Sequence, residues 1–229
     1  MNWPPTAKIN VAIDGPAGAG KSTVARKVAE ILGYIYVDTG AMYRTVTLKA
    51  LREGVDPDDA QALAALAERT DIRLVPEPSG QKVLMDGEDV TDGIRSQEVT
   101  SRVSKVAAVP AIRNVLVKLQ RDIADRRGVV MDGRDIGTNV LPDAEVKVFM
   151  TASVRIRAER RWLELRNKEP DATVEGLMEA IALRDKTDSE RETSPLKQAD
   201  DAVLLDTSQL TADEAAERIV SLCRRALEV

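Results

Sequence analysis

Nine consecutive residues, Gly15-Pro16-Ala17-Gly18-Ala19-Gly20-Lys21-Ser22-Thr23, contain the pattern G-x-x-x-x-G-K-[ST] and follow the apolar run 9–13 with only Asp14 between. Each part answers a requirement of polyphosphate binding. Backbone N–H groups converge on an anion only where the chain turns through conformations that glycine tolerates, so Gly15, Gly18 and Gly20 form a concave nest. The helix expected after Gly20 points its positive end at the same place. Lys21 brings a full positive charge to the terminal phosphates, and the Ser22 hydroxyl is placed to ligate a magnesium ion bound to them.

Two further segments set arginines near expected strand ends: Asp38-Thr39-Gly40-Ala41-Met42-Tyr43-Arg44 and Asp132-Gly133-Arg134-Asp135-Ile136-Gly137-Thr138. Open parallel sheets bind ligands at the carboxyl edge of their strands. Since a guanidinium grips two phosphate oxygens at once, Arg44 and Arg134 converging there would hold a second phosphate, the acceptor. Asp132 is expected to position magnesium through water, while capping of adjacent turns is the structural alternative for Asp132 and Asp14. Arg155, Arg157, Arg160, Arg161 and Arg166 lie in one helical stretch, and residues 184–191 form a second charged stretch. Alone, such runs read as solvated faces. Beside a phosphate loop they read as cations for a transferring phosphoryl group, whose charge spreads over its equatorial oxygens.

The chain contains no histidine, which excludes histidine general bases, Ser-His-Asp triads and most zinc sites. Its chemistry must rest on lysine, arginine and carboxylates. A formal net charge of −5 argues against nonspecific binding of long nucleic acid but leaves small phosphorylated ligands compatible. No apolar run approaches the roughly 20 residues needed to span a bilayer, and residues 1–5 lack the form of a signal peptide, so a cytoplasmic protein is expected. Cys223 lies at helical spacing with Ile219, Leu222 and Leu227 and reads as core rather than as a nucleophile.

The elements that must position these groups follow from periodicity. Apolar runs at 9–13, 34–37, 128–131, 145–150 and 202–205 are separated mostly by helical patterns, which suits strands buried on both faces of a parallel sheet. A helix is expected to end near Leu32 before Gly33, and a loop at 38–40 to precede a second helix over 42–51. Between 71 and 92 apolar and polar residues alternate around the turn-rich stretch 76–80, predicting a small antiparallel meander. Val99, Val103 and Val106 mark one helix, and Ile112, Val115, Leu116, Leu119 and Ile123 another that begins near Pro110.

A phosphate loop does not by itself separate kinases from switch GTPases, motor ATPases or transporters. The later blocks are more telling. Residues 13–21, 38–44, 93–113, 132–137 and 184–191 followed by Ser194-Pro195-Leu196 closely resemble, in this order, the bacterial cytidylate kinases of the nucleoside monophosphate kinase group. The resemblance runs nearly end to end. It implies an α/β P-loop kinase fold of the adenylate-kinase type: a five-stranded parallel sheet flanked by helices in a single domain over 1–229. An inserted monophosphate-binding region at 65–105 would carry the small antiparallel β region, and a lid would span 153–170.

The same resemblance implies an activity and a site. ATP would be bound by residues 15–23 with magnesium, and the acceptor phosphate of CMP or dCMP by Arg44, Arg134 and Arg191. Ser104, Arg113 and Asp135 would read the base, and Arg184 and Asp188 the sugar, with Asp38 and Thr39 nearby. Lys21, Arg134 and Arg191 would serve catalysis, with Arg157, Arg160 and Arg161 supplied by the lid. The chain is expected to act as a monomer on these nucleotides, apart from membranes and long nucleic acid. Trp162 reads as lid packing, Tyr43 as packing, and 206–208 as the loop nearest the adenine. Cytosine chemistry agrees, because its exocyclic amine seeks a carboxylate such as Asp135, whereas uracil would set a carbonyl against it. Two alternatives stay open: a kinase for another small acceptor, such as UMP or a metabolite hydroxyl, and a nonenzymatic nucleotide switch.

Overall fold

The first apolar run becomes β1 (Asn10–Asp14), buried over its last four residues as a strand covered on both faces must be. The structure is a computed structural model and describes residues 8–77, 80–167 and 169–228; Trp3 and part of the expected turn at 76–80 lie outside them. Gly20 opens α1 (Lys21–Leu32) at φ 85°, and Gly33 closes it at φ 64°, both in the left-handed region. Next come β2 (Ile35–Asp38) and α2 (Thr39–Glu53). The loop expected at 38–40 is absent. Asp38 is the last residue of the strand and also the helix cap, its carboxylate accepting from the Ala41 N–H at 2.9 Å.

The chain continues through α3 (Ala60–Glu68), which the sequence reading did not anticipate. The predicted meander follows as β3 (Ile72–Glu77), β4 (Gly80–Met85) and β5 (Glu88–Asp89), with Ile72 opposite Met85. Beyond it are α4 (Gln97–Ala107) and α5 (Pro110–Ala124), the latter with proline in its first turn. The remainder runs β6 (Val129–Gly133), a π-type turn over Ile136–Val140, β7 (Val146–Thr151), α6 (Val154–Leu165), α7 (Val174–Glu190), β8 (Val203–Asp206) and α8 (Ala212–Leu227).

The five main strands pair in parallel in the order β2-β6-β1-β7-β8. This order sets Ile13 beside Asp132 and Asp38 also beside Asp132, so three strand ends meet at one edge. One face of the sheet packs on α1 and α8, including buried Cys223; the other packs on α5. A further apolar cluster joins α2, α3, α4 and α5. Not every strand is buried on both faces. β2 and β8 are the edges, and Ile35, Val203 and Leu204 are 45%, 46% and 57% exposed.

Two contacts seat the meander on the main fold. The Gln81 side-chain amide donates to the Tyr36 carbonyl at 2.7 Å and accepts from the Asp38 N–H at 3.3 Å, capping the free edge of β2. Lys49 of α2 pairs with Asp86 at 2.7 Å. Among the described residues no helix is long and apolar enough to cross a membrane.

Candidate active site

The glycine-rich turn has the shape its composition predicts. Gly15 has φ 148°, and a Cβ there would lie 2.0 Å from the Met150 carbonyl oxygen, so only glycine fits against β7. Gly18 and Gly20 have φ 76° and 85°. Lys21 is buried at the start of α1 and donates to the Pro16 carbonyl at 2.8 Å, lying back across its own loop. Burial, together with Arg134 and Arg184 nearby, brings its pKa down to about 7.

Beside Lys21 stands a carboxylate held from two sides. The Ser22 hydroxyl donates to Asp132 Oδ2 and the Tyr36 hydroxyl to Asp132 Oδ1, each at 2.9 Å. Burial, then the negative charge of Asp38, raise the Asp132 pKa to about 6. Asp14 takes the structural alternative. Its two oxygens accept from the Ile136 and Gly137 N–H groups at 2.8 and 2.7 Å, so it caps the turn after β6. Thr39 likewise turns inward, its buried hydroxyl donating to the Asp132 carbonyl at 2.8 Å. A hydroxyl, a second carboxylate behind it and an open phosphate nest suit magnesium carried in on a nucleotide; no group of three or more His, Cys, Asp or Glu that could hold a metal alone occurs among the described residues.

Close to Lys21 the predicted cations do converge. Arg44 donates to the Ile94 carbonyl at 3.2 Å and to the Thr100 hydroxyl at 2.8 Å, while Arg134 pairs with Asp188 at 2.9 Å. Burial and the charges of Arg95, Arg134 and Arg161 lower the Arg44 pKa to about 10. Burial and the charges of Arg134 and Arg44 do the same to Arg184, whose buried Nε has no partner. Burial opposes ionisation of Asp188, but Arg134 and Arg184 outweigh it and hold the carboxyl below its ordinary value. Like charges crowded in this way are unfavourable until an anion joins them.

A second group surrounds Asp135. Arg113, buried in the first turn of α5, pairs with Asp135 Oδ2, which also accepts from Asn139 Nδ2 at 3.1 Å; Arg191 lies 3.4 Å from Oδ1. Arg113 also donates to the Ala107 carbonyl at 3.2 Å and sits 5.4 Å over the Tyr43 ring. Its buried Nε has no hydrogen-bond partner among the described residues. Ser104 is half-buried on α4. Arg191 donates through Nε to the Ser194 carbonyl at 2.6 Å, which bends the chain after α7 around this pocket.

The α6 arginines separate into distinct positions. Arg157 is buried, donating to the Ala152 and Ala17 carbonyls at 2.9 Å each and pairing with Asp185 at 2.7 Å. All three of its nitrogens are thereby engaged, and in this conformation it clamps the phosphate loop to α7. Arg160 donates to the Thr207 carbonyl at 2.6 Å, and the Thr207 hydroxyl lies 3.2 Å from the Ala19 carbonyl, so the 206–208 loop does sit beside the phosphate loop. Arg161 pairs only locally with Glu164 at 2.8 Å, leaving its charge near Arg44. Trp162 packs, donating to the Ala172 carbonyl at 3.1 Å with the exposed Arg166 over its ring.

The sequence reading did not assign roles to Tyr36, Asn139 or Asp185. Asn139 stands four residues after Asp135, a spacing that could have flagged it. Asp185 was inside a recognised block, and Tyr36 left no local signal because its partner lies 96 residues away.

The chain is similar to known proteins along nearly its whole length. The cytidylate kinase family model matches residues 11–225. A cytidylate kinase from Exiguobacterium sibiricum is 54% identical over 221 residues, covering 96% of this chain and 99% of that one. One from Bacillus subtilis is 54% identical over 213 residues, covering 93% and 95%. Among solved structures, an uncharacterized protein from Eubacterium ventriosum matches with a TM-score of 0.53 at 12% identity over 96% of this chain and 99% of that chain, a likeness of fold alone. With the family model and the curated relatives both covering nearly its whole length, the chain belongs to the cytidylate kinase family.

Proposed function

We propose that this protein transfers the γ-phosphoryl group of ATP to the α-phosphate of CMP, and of dCMP, giving the corresponding diphosphate. The observation that carries the reading is the proximity of two sets of anion- and base-binding groups. A buried lysine and a glycine nest face crowded cations on Arg44, Arg134 and Arg184, with an arginine-flanked carboxylate, Asp135, just beyond. These groups suit a donor phosphate site, an acceptor phosphate site and a reader of an amino-substituted base.

No general base is required, because the acceptor phosphate is already an anionic nucleophile at neutral pH. The protein supplies alignment, charge neutralisation and exclusion of water. Lys21 leaves the Pro16 carbonyl for the γ-phosphoryl oxygens and follows them during transfer. Magnesium would be held by Ser22, with Asp132 behind it through water, and would neutralise the triphosphate. Arg44 and Arg134 grip the acceptor phosphate, Arg191 and Arg161 add charge to the transition state, and Arg157 keeps the loop in place. Arg184 and Asp188 face the sugar.

Asp135 offers about four lone-pair sites. The donors around it are Arg113, Asn139 and Arg191, which leaves room for the cytosine amine. Uracil would set a carbonyl there, at a cost of about 1–3 kcal/mol. Closure of the 153–170 lid and the 65–105 insert over the nucleotides excludes water, and the protein acts as a monomer. A coupled assay across CMP, dCMP, UMP, AMP and shikimate tests the substrate class, with CMP and dCMP expected to lead. Lys21→Ala should lower turnover by about a hundredfold or more while CMP binding changes little. Near-normal turnover in that variant, or preference for a hydroxyl acceptor, would sink the reading.

A further inference from the structure

Asp132 is reached by two hydroxyls from different elements, and only one belongs to the phosphate loop. Ser22 Oγ on α1 donates to Oδ2, whereas Tyr36 Oη on β2 donates to Oδ1, both at 2.9 Å. A carboxylate is an acceptor only, so each hydroxyl points its hydrogen at Asp132 and its lone pairs elsewhere. For Ser22, directly after Lys21 at the head of α1, elsewhere is the side of the phosphate nest and of the neighbouring Tyr36 hydroxyl. The direction of its lone pairs therefore depends on where Asp132 holds its second oxygen, and Tyr36 occupies the first.

The far end of Tyr36 is fixed as well. Its carbonyl accepts from Gln81 Nε2 at 2.7 Å, and the next amide but one, at Asp38, donates to Gln81 Oε1 at 3.3 Å. One β2 residue thus bridges β4 of the meander to β6 of the main sheet. We propose that Tyr36 is a positioning residue for the metal–triphosphate end of the site, acting through Asp132 to set the Ser22 oxygen toward the cation. Its hydroxyl is spent on Asp132, so its part is indirect. A hydrogen bond to an ionised group is among the stronger ones, and losing it lets the carboxylate turn.

This inference rests on the reading of residues 15–23 as the site of a magnesium-bound nucleotide. Tyr36→Phe removes one oxygen and keeps the ring. The test is a titration of Mn2+, followed by electron paramagnetic resonance, into enzyme saturated with a nonhydrolysable ATP analogue. Tyr36→Phe should weaken Mn2+ binding by about tenfold, with analogue binding in EDTA and CMP binding unchanged. Tyr34→Phe is the control. Its hydroxyl accepts from the Ile9 N–H at 3.2 Å, away from Asp132, so its loss should leave the Mn2+ titration unmoved.

A double-mutant cycle supplies the second readout. If Tyr36 acts through Asp132, adding Tyr36→Phe to Asp132→Asn should weaken Mn2+ binding no further than Asp132→Asn alone. Equal Mn2+ affinity in wild type and Tyr36→Phe, an equal loss in Tyr34→Phe, or additive losses in the double variant would each overturn the proposal. Failure of the wild type to take up Mn2+ with the analogue, while CMP still binds, would bring down the reading of the triphosphate site and this inference with it.

Discussion

Lys21 and Asp135 are the two residues whose environments most constrain what they can do. With its pKa down at about 7, chiefly through burial and then through Arg134 and Arg184, Lys21 is largely neutral at pH 8 in the free protein. A bound triphosphate favours the charged form, so nucleotide binding at pH 8 should take up close to one proton per site. Calorimetry in two buffers of different ionisation enthalpy reads this directly, and Lys21→Met should abolish the uptake. For Asp135, replacement by asparagine keeps the shape but adds a donor that can face uracil O4. Asp135→Asn should shrink the CMP-to-UMP ratio of kcat/KM by about tenfold or more. Because Arg113 is buried and loses its counter-charge, the same variant should also melt earlier. A ratio unchanged in a folded variant would move the reading of the amine to Ser104 or Arg113.

At the scale of elements, the site rests in part on a helix that takes no part in chemistry. α3 buries Leu63 and Leu66 against α2, the helix that carries Arg44. Its cap is Asp59, which accepts from the Ala62 N–H at 2.9 Å. Leu63→Ala should cost about 2–5 kcal/mol through lost burial and the cavity left behind. Asp59→Ala, at an exposed cap, should cost about 1 kcal/mol. Urea unfolding separates the two, and both variants should keep wild-type turnover well below their transitions. Equal destabilisation would mean that α3 is held by its cap rather than by its apolar face. α6 and α7 are joined differently, through Arg157 and Asp185 beneath the phosphate loop, so a change in either helix is transmitted to the nest.

For the whole molecule, a net negative chain nevertheless crowds several buried arginines together at one site. The formal charge is −5, yet Arg44 and Arg184 are each pressed to a pKa of about 10 by burial and neighbouring guanidinium groups. The free protein therefore carries unfavourable repulsion that a phosphate relieves, a common relation between active sites and stability. CMP at about a hundred times its Kd should raise stability by about 2.7 kcal/mol. Cytidine at the same concentration should raise it far less, and added salt should narrow the difference. Differential scanning calorimetry gives the comparison. Equal stabilisation by cytidine would place the binding energy in the base pocket instead of the arginines.

How much of this was legible beforehand divides along a physical line. Features that depend on neighbouring residues were readable: the glycines of the nest, Lys21 and Ser22 behind them, five apolar runs, the meander, and the helical spacing that buries Cys223. Glycine's tolerance of φ between 76° and 148° and the periods of helix and strand act within a few residues, so composition and spacing by themselves determined them. The resemblance added the acceptor-side residues by position. What only the tertiary structure decided are relations between distant segments. Parallel pairing in the order β2-β6-β1-β7-β8 brings Asp38 and Asp132 side by side across 94 residues of chain and leaves Ile35 and Val203 on exposed edges. No local pattern encodes that order, since each of the five runs is a short apolar segment that carries no mark of its partner. The same holds for Tyr36 on Asp132, Arg113 on Asp135 and Arg157 under the phosphate loop. Hydrogen bonds and ion pairs have partners only after packing has chosen the neighbours.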